Sequence, residues 1–295
     1  MVLYQTEDSY TIIMFHSIVL SAFTVEPLFA SRQAGNTQSN LTTDLGFSSI
    51  SVELHPDCVL LPVGVNLSWD ALQAVLDEPQ SCFILRAGDL VKIQSYSDHT
   101  GRYYSLYPTR RAPTILVSGI PMHRIKDTDP HADTLVKIRT AQPAGKVLDT
   151  TTGLGYTAIE AARTAEHVIT IELDAAVLGI CRQNPWSQEL FDNPRITQII
   201  GDSFEVIQEY PDSTFSRIIH DPPTFSLAGD LYSGEFYSQA YRVLKANGRL
   251  FHYIGDLNSP SGHRVARGVA QRLKKAGFLR VVARQEAFAV LAFKN

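Results

Sequence analysis

The segment that most constrains the fold is 147–157, which reads VLDTTTGLGYT. It predicts a short buried strand, a glycine turn and the start of a helix over 158–165. Such a turn brings backbone N–H groups that carry no side chain up against a ligand at a helix N-terminus. Gly153, Gly155 and Ala158 also satisfy the dinucleotide fingerprint, so the glycines alone do not identify that ligand.

Asp149 narrows the choice of ligand. A pyrophosphate would lie where the strand ends, and a carboxylate four residues before the first glycine would repel it. The same carboxylate would attract a cationic amine. S-Adenosyl-L-methionine carries adenosine at one end and such an amine at the other, so we expect it as the cofactor. The alternative is an ordinary strand–helix turn without a ligand.

Strands and helices alternate after Thr128. The predicted strands are 147–149, 168–172, 196–200, 217–221 and 249–254, and the predicted helices are 131–140, 157–165, 175–183, 204–208 and 235–244. This order predicts an α/β fold, a Rossmann-like doubly wound parallel sheet with helices on both faces. The last two strands, 278–284 and 286–293, are too close for a crossover helix, so we expect an antiparallel hairpin.

The rest of the chain divides by composition. We expect an extension and linker over 1–44, a small β-rich domain over 45–126 and the catalytic domain over 127–295. The uncharged run 9–25 follows two acids and is shorter than the ~20 residues of a membrane span, so it predicts a packed or loosely ordered extension. Translation from Met14 is an alternative start. The polar stretch 31–44 predicts a flexible linker.

Charge and cysteine content limit the function. The net charge of −4 disfavours non-specific nucleic-acid binding by the whole surface. Seven basic residues and four interleaved tyrosines over 86–126 nevertheless predict either an RNA-binding face or a solvated rim. Cys58, Cys82 and Cys181 fit neither a disulfide framework nor a metal site, which favours a cytoplasmic protein without a metal.

Polar residues end the predicted strands, where ligands bind in open parallel sheets. Glu172 lies nineteen residues after Gly153 and is positioned to accept both ribose hydroxyls. Asp202 follows the next strand and could accept the adenine amino group. The residues expected to bind S-adenosyl-L-methionine lie in the glycine turn and at the strand ends: Asp149, Thr151, Gly153, Gly155, Glu172, Leu173, Asp202 and Ser203.

The fourth strand of the domain ends in the heptapeptide HDPPTFS over 220–226. Consecutive prolines fix the backbone and remove two N–H donors. A carboxylate and a fixed carbonyl can then accept hydrogen bonds from an N–H₂ group and aim its lone pair at an electrophilic methyl. The expected catalytic residues are Asp221, Pro222, Pro223, Thr224 and Phe225. A rigid loop without a ligand is the alternative.

Taken together, these motifs resemble class I S-adenosylmethionine-dependent methyltransferases. Over 118–295 the chain is similar to an uncharacterised, largely archaeal group of predicted methyltransferases, through GIPMHR at 119–124, HDPPTFS with the LAGDLY that follows it, and FHY at 251–253. The resemblance implies methylation of a nitrogen acceptor, an RNA base or another amine. Thr224 departs from it, because nitrogen methyltransferases carry an aromatic residue there.

Four further residues are candidates for substrate binding, because they flank the catalytic domain or end its fifth strand: His123, Arg124, His252 and Tyr253.

Three other functions stay open. In a polyamine aminopropyltransferase Asp149 would have little reason to hold a cofactor amine, and acids should line the substrate groove. A nucleic-acid-binding module without turnover would not need the acidic strand ends, and a dinucleotide oxidoreductase conflicts with the charge of Asp149. No membrane partner is expected.

Overall fold

The structure, a computed structural model, describes residues 4–6, 9–11, 17–62, 64–225 and 227–295. Met14 and nine other residues of the predicted N-terminal extension lie outside them. Nine α-helices occur in the described part: α1 (Ala22–Gln33), α2 (Trp69–Leu76), α3 (Pro130–Ala141), α4 (Tyr156–Ala161), α5 (Ala175–Cys181), α6 (Glu189–Asp192), α7 (Ser203–Val206), α8 (Gly234–Val243) and α9 (Pro260–Lys275). Four single-turn helices are Pro185–Ser187, Ile207–Glu209, Gly229–Tyr232 and Gln285–Ala287.

The strands before α3 belong to small antiparallel sheets. They are β1 (Tyr4–Thr6), β2 (Ser9–Thr11), β3 (Val19–Leu20), β4 (Gln38–Leu41), β5 (Ile50–Leu54), β6 (Cys58–Leu60), β7 (Asn66–Ser68), β8 (Phe83–Arg86), β9 (Asp89–Lys92), β10 (Gln94–Ser97), β11 (Arg102–Tyr107), β12 (Thr114–Val117) and β13 (Ile120–Pro121). They pair in the orders β1-β2, β3-β8-β9, β4-β5-β6-β7 and β10-β11-β12-β13. The prediction of a β-rich N-terminal part is therefore confirmed.

The strands after α3 form one seven-stranded sheet. They are β14 (Lys146–Asp149), β15 (His167–Glu172), β16 (Ile196–Ile200), β17 (Phe215–His220), β18 (Leu244–Tyr253), β19 (Arg280–Arg284) and β20 (Ala289–Phe293), in the order β16-β15-β14-β17-β18-β20-β19. The first five are parallel, and β20 pairs antiparallel with both β18 and β19. This confirms the predicted α/β architecture with a parallel-rich central sheet.

The glycine turn after β14 is fixed by backbone conformation and packing. Gly153 and Gly155 have φ of 52° and 78°, in the left-handed region that favours glycine. A Cβ on Gly155 would lie 2.8 Å from a methyl group of Leu190. Val147 and Leu148 of β14 are fully buried between the two layers of helices. A buried strand and a tight turn therefore hold the N-terminus of α4 in place.

The stretch predicted as a flexible linker is instead ordered. The end of α1 and all of β4 lie within 31–44, and Leu41 is fully buried in an N-terminal core together with Leu28. The linker prediction is wrong because β4 pairs with β5 and Leu41 anchors it in that core. The predicted domain boundaries stay a prediction. Across the described ranges, no helix is long and apolar enough to cross a membrane.

Candidate active site

A cavity of about 280 Å³ opens at the carboxyl ends of β14, β15 and β17. Its walls include thirteen of the residues singled out in the sequence: His123, Arg124, Thr151, Gly153, Glu172, Leu173, Asp202, Ser203, Asp221, Pro222, Pro223, Thr224 and Tyr253. Four others do not line it: Asp149, Gly155, Phe225 and His252. The strand order thus brings most of the predicted residues to one cavity, as expected for a parallel sheet.

Glu172 ends β15 in the wall of the cavity and is held by two backbone groups. The N–H groups of Gly153 and Asp174 donate to its two carboxylate oxygens over 2.9 and 3.1 Å. Burial raises the pKa of Glu172 to about 7. Each oxygen of an ionised carboxylate can accept a further hydrogen bond. Its geometry therefore suits a ligand that presents paired hydroxyl groups.

Asp149 lies beneath the glycine turn rather than in the cavity. It is fully buried, and one carboxylate oxygen accepts hydrogen bonds from the hydroxyls of Thr157 and Thr170 over 3.1 and 2.9 Å. Burial raises the pKa of Asp149 to about 7. The geometry does not bring this carboxylate to a ligand amine, because its hydrogen bonds tie β14, α4 and β15 together.

Asp202 and Asp174 line the cavity from the starts of two helices. Asp202 caps α7 by accepting from the backbone N–H of Phe204 over 2.8 Å. Asp174 caps α5 and also accepts from the hydroxyls of Thr100 and Tyr104 over 2.7 and 2.9 Å. Although burial raises the pKa of Asp174, these hydrogen bonds outweigh it and hold that pKa below its usual value.

Asp174 escaped the sequence argument, although an aspartate immediately before a predicted helix is an N-cap signal. Its hydroxyl partners lie far away along the chain, in β11 and in the turn between β10 and β11. This hairpin of the N-terminal part forms one side of the cavity, to which Arg102 and Tyr104 contribute.

Four side chains of alternating charge form a row whose two ends lie in the cavity wall. Asp221 is bound by Lys137 at 2.7 Å, Lys137 lies 3.0 Å from Asp133, and Asp133 is bound by Arg124 at 2.8 Å. The ammonium group of Lys137 also lies 4.3 Å from the centre of the Tyr253 ring. Asp221 and Arg124 line the cavity, whereas Lys137 and Asp133 are buried behind it.

The pKa values in this row follow from burial and pairing. Burial raises the pKa of Asp221, and the attraction of Lys137 offsets part of that shift. Burial alone would lower the pKa of Lys137, but Asp221 and Asp133 together hold it above its ordinary value. Lys137 therefore stays charged and orients one oxygen of Asp221. Sequence spacing gave no sign of this pair, whose members are 84 residues apart.

The two predicted histidines lie in different places. His123 lines the cavity, lies 2.9 Å from the Thr114 hydroxyl, and has a pKa lowered to about 3 by burial and by Lys137. It is therefore neutral and a poor partner for an anion. His252 is fully buried against the Tyr237 hydroxyl at 2.9 Å and does not line the cavity, so the structure does not bring it to the predicted substrate-binding position. Phe225 is 59% exposed outside the cavity.

Acidic side chains outnumber basic ones in the cavity wall. Its four carboxylates belong to Glu172, Asp174, Asp202 and Asp221, and its two guanidinium groups belong to Arg102 and Arg124. Arg124 is already paired with Asp133. The cavity as a whole therefore favours cationic ligands over anionic ones. Within the described residues, no cluster of three metal-ligating side chains occurs.

Comparison with known proteins places the chain in a family. An uncharacterized protein of Methanocaldococcus jannaschii is 44% identical over 232 residues, which cover 78% of this chain and 79% of that protein. The chain belongs to the same family as that protein. Residues 143–281 match the Spermine/spermidine synthase domain, and this range carries the five parallel strands β14 to β18 of the seven-stranded sheet.

Named relatives agree with the domain match. A polyamine aminopropyltransferase of Clostridium perfringens is 26% identical over 164 residues, which cover 54% of this chain and 57% of that enzyme. The chain thus spans little more than half of that relative. A spermidine synthase solved with the transition-state analogue AdoDATO and the one from Thermotoga maritima share the fold, with TM-scores of 0.57 and 0.55 at 20% identity. Each covers 68% of this chain, which spans 73% and 72% of theirs.

These matches overturn several predictions. The resemblance to class I methyltransferases is wrong at the level of the family, since the matched domain is that of spermine and spermidine synthases. The predicted methyltransferase activity, S-adenosyl-L-methionine as methyl donor, and an RNA acceptor are wrong with it. The composition of the cavity wall explains why these predictions failed. Asp149, which was expected to bind the amine of the cofactor, does not line the cavity, and carboxylates outnumber guanidinium groups among the residues that do.

Proposed function

We propose that the protein is an aminopropyltransferase that moves the aminopropyl group of decarboxylated S-adenosylmethionine onto an amine of a diamine or polyamine. The observation that carries the proposal is the match of residues 143–281 to the Spermine/spermidine synthase domain, because the strands of this range end at the cavity. The named relative with that activity supports it.

The charges of the cavity support a cationic donor and a cationic acceptor. Decarboxylated S-adenosylmethionine has lost its carboxylate, so it needs no cationic partner in the protein. Its aminopropyl end and a polyamine both carry ammonium groups, which the carboxylates of Asp174 and Asp221 would attract. Asp149 lies outside the cavity wall, as expected if the donor brings no amino acid group to the end of β14.

The adenosine half of the donor suits the glycine turn. Glu172 would accept the ribose hydroxyls with the lone pairs left over from its two backbone hydrogen bonds. Asp202 would accept the adenine amino group, and Thr151, Gly153, Leu173 and Ser203 would line the same side. Gly155 contributes through the shape of the turn rather than by contact.

The chemical step is a displacement at the carbon next to the sulfonium. The acceptor ammonium first loses a proton to a nearby base. The lone pair of the resulting neutral amine forms the new C–N bond. The C–S bond breaks, and its electron pair stays on sulfur, which leaves methylthioadenosine and a substituted ammonium. Because the sulfonium is already a good leaving group, positioning of the amine supplies most of the rate enhancement.

Asp221 is the group we assign to the acceptor amine. Its carboxylate lines the cavity, Lys137 holds one of its oxygens at 2.7 Å, and the other can accept from the amine. Burial raises the pKa of Asp221, which brings it closer to that of a proton acceptor at neutral pH. The carbonyls and ring atoms of Pro222 and Pro223, with Thr224 beside them, shape the cavity around the amine.

A cytoplasmic location belongs to the same proposal. The three cysteines are unpaired thiols, and burial raises the pKa of Cys82 and Cys181 far above neutrality, so both stay protonated and inert. A reducing compartment suits such cysteines.

The experiment is incubation of the purified chain with decarboxylated S-adenosylmethionine and a panel of diamines and polyamines. We expect an acceptor that gains one aminopropyl group, with an equal amount of methylthioadenosine. The matched reaction contains S-adenosylmethionine instead and should give no product. Absence of transfer to every amine in the panel would refute the proposal.

A further inference from the structure

A second cavity, of about 460 Å³, lies at the C-terminal end of α3. It shares no lining residue with the candidate active site. The first turns of α3 contribute Thr134 to the active-site cavity, whereas its last turn contributes Arg139 to this one. The two cavities therefore lie at opposite ends of one helix and have no lining residue in common.

The second cavity is strongly cationic. Arg139, Arg249 and Arg284 line it, against the single carboxylate of Glu286. None of the salt bridges between described residues involves any of these four side chains. The positive charge is local, since the chain as a whole has a net charge of −4.

A fourth arginine adds to this charge. Arg217 pairs with Arg249 in the register of β17 and β18, and both donate to Gln142 after α3, over 3.1 and 2.8 Å. Burial and the charge of Arg249 together lower the pKa of Arg217. The negative end of the α3 dipole offsets only about half a unit charge. The C-terminal end of α3 therefore neutralises only a small part of the positive charge of these arginines.

We infer that this cavity binds a small phosphorylated molecule. Guanidinium groups match the oxygens of a phosphate in pairs, and several of them suit a dianion better than a single carboxylate. The volume falls within the roughly 300–1,000 Å³ of small-molecule sites, so it holds more than a bare phosphate. Val136 and Leu291 supply an apolar wall for the organic part. The inference does not depend on aminopropyl transfer.

Calorimetry on the full chain tests the site with two probes, inorganic pyrophosphate and glycerol phosphate, at an ionic strength held constant with sodium chloride. Arg139→Gln and Arg284→Gln should each weaken binding of the probe by roughly tenfold or more, as for a hydrogen bond to a charged group. The matched control is Arg195→Gln, which removes the same charge from an exposed position before β16, at the opposite edge of the sheet.

The site is supported if at least one probe binds the parent and the Arg195→Gln control but neither Arg139→Gln nor Arg284→Gln. Thermal unfolding of each variant without a probe checks the fold, and Arg139 is solvent-exposed, so its replacement should leave the melting temperature unchanged. The inference is overturned if neither probe binds, or if the variants bind as tightly as the parent. Binding of a short RNA in place of both probes overturns it as well and assigns the charge to a nucleic-acid backbone.

Discussion

At the scale of single residues, we expect Glu172 to make donor binding depend on pH. Its pKa of about 7 in the free protein means that its ionised form, which would accept the two ribose hydroxyls, is lost as pH falls through 7. We expect the affinity for methylthioadenosine, a neutral ligand with the same ribose, to be constant above pH 8 and to weaken below about pH 7.

Glu172→Gln should weaken methylthioadenosine binding by roughly 1.5–3 kcal/mol and flatten its pH dependence. Calorimetry across the pH range measures both effects. Glu166→Gln, which removes one exposed carboxylate elsewhere, is the control. Parallel pH curves for Glu172→Gln and the parent would assign the titration to another group.

Lys137 is the second residue with a testable role, that of positioning Asp221. Removing its charge leaves Asp221 partly buried without the attraction that offsets its raised pKa, so that pKa should rise further. We expect the double variant Lys137→Met with Asp133→Asn, which removes one charge of each sign, to lower kcat on the order of tenfold and to move the acidic limb of its pH profile upward. Unchanged affinity for methylthioadenosine serves as the internal control. A lower kcat with an unmoved profile would make Lys137 a merely structural residue.

At the scale of elements, the β10–β11 hairpin connects the N-terminal part to the cavity through Asp174. Hydroxyls of Thr100 and Tyr104 converge on one oxygen of that carboxylate. Tyr104→Phe removes one of these hydrogen bonds with little change of shape. It should raise the KM for the donor several-fold while the melting temperature falls by only a few degrees, given about 1.5–3 kcal/mol for a hydrogen bond to a charged group. Tyr103→Phe on the same strand, with its side chain 42% exposed, is the matched control.

The strands of the central sheet show which parts of the fold could be predicted from the sequence. Hydrophobic runs and the glycine turn predicted the strands of the central sheet within a few residues, as in β15 (His167–Glu172) against 168–172. These signals are local, because strand burial and turn conformation depend on neighbouring residues. Contacts across the chain, such as Lys137 with Asp221 or Tyr104 with Asp174, leave no local pattern. The pairing of Lys137 with Asp221 and the contact of Tyr104 with Asp174 therefore escaped prediction.

The error over function has a physical reason of its own. S-Adenosylmethionine and its decarboxylated form share adenosine and a sulfonium, so residues that suit the shared part cannot separate the two donors. The sequence argument relied on Asp149 for that distinction. Its carboxylate instead accepts hydrogen bonds from two threonine hydroxyls below the turn. A carboxylate at the end of a strand thus indicates a ligand group only when its side chain reaches the cavity.

At the scale of the whole molecule, the charge of the cavity wall supports a cationic acceptor. The active-site cavity carries four carboxylates against two guanidinium groups, in a chain with a net charge of −4. A polyamine acceptor would therefore be attracted over distances comparable to the Debye length, about 10 Å at 0.1 M salt. We expect the KM for a polyamine acceptor to rise with salt over the range where that length shortens to about 3 Å, while kcat stays nearly constant. Steady-state kinetics in sodium chloride measures this, and methylthioadenosine binding, which involves no net ligand charge, is the control. A KM that falls with salt would mean that Arg102 and Arg124, rather than the carboxylates, govern how the acceptor enters.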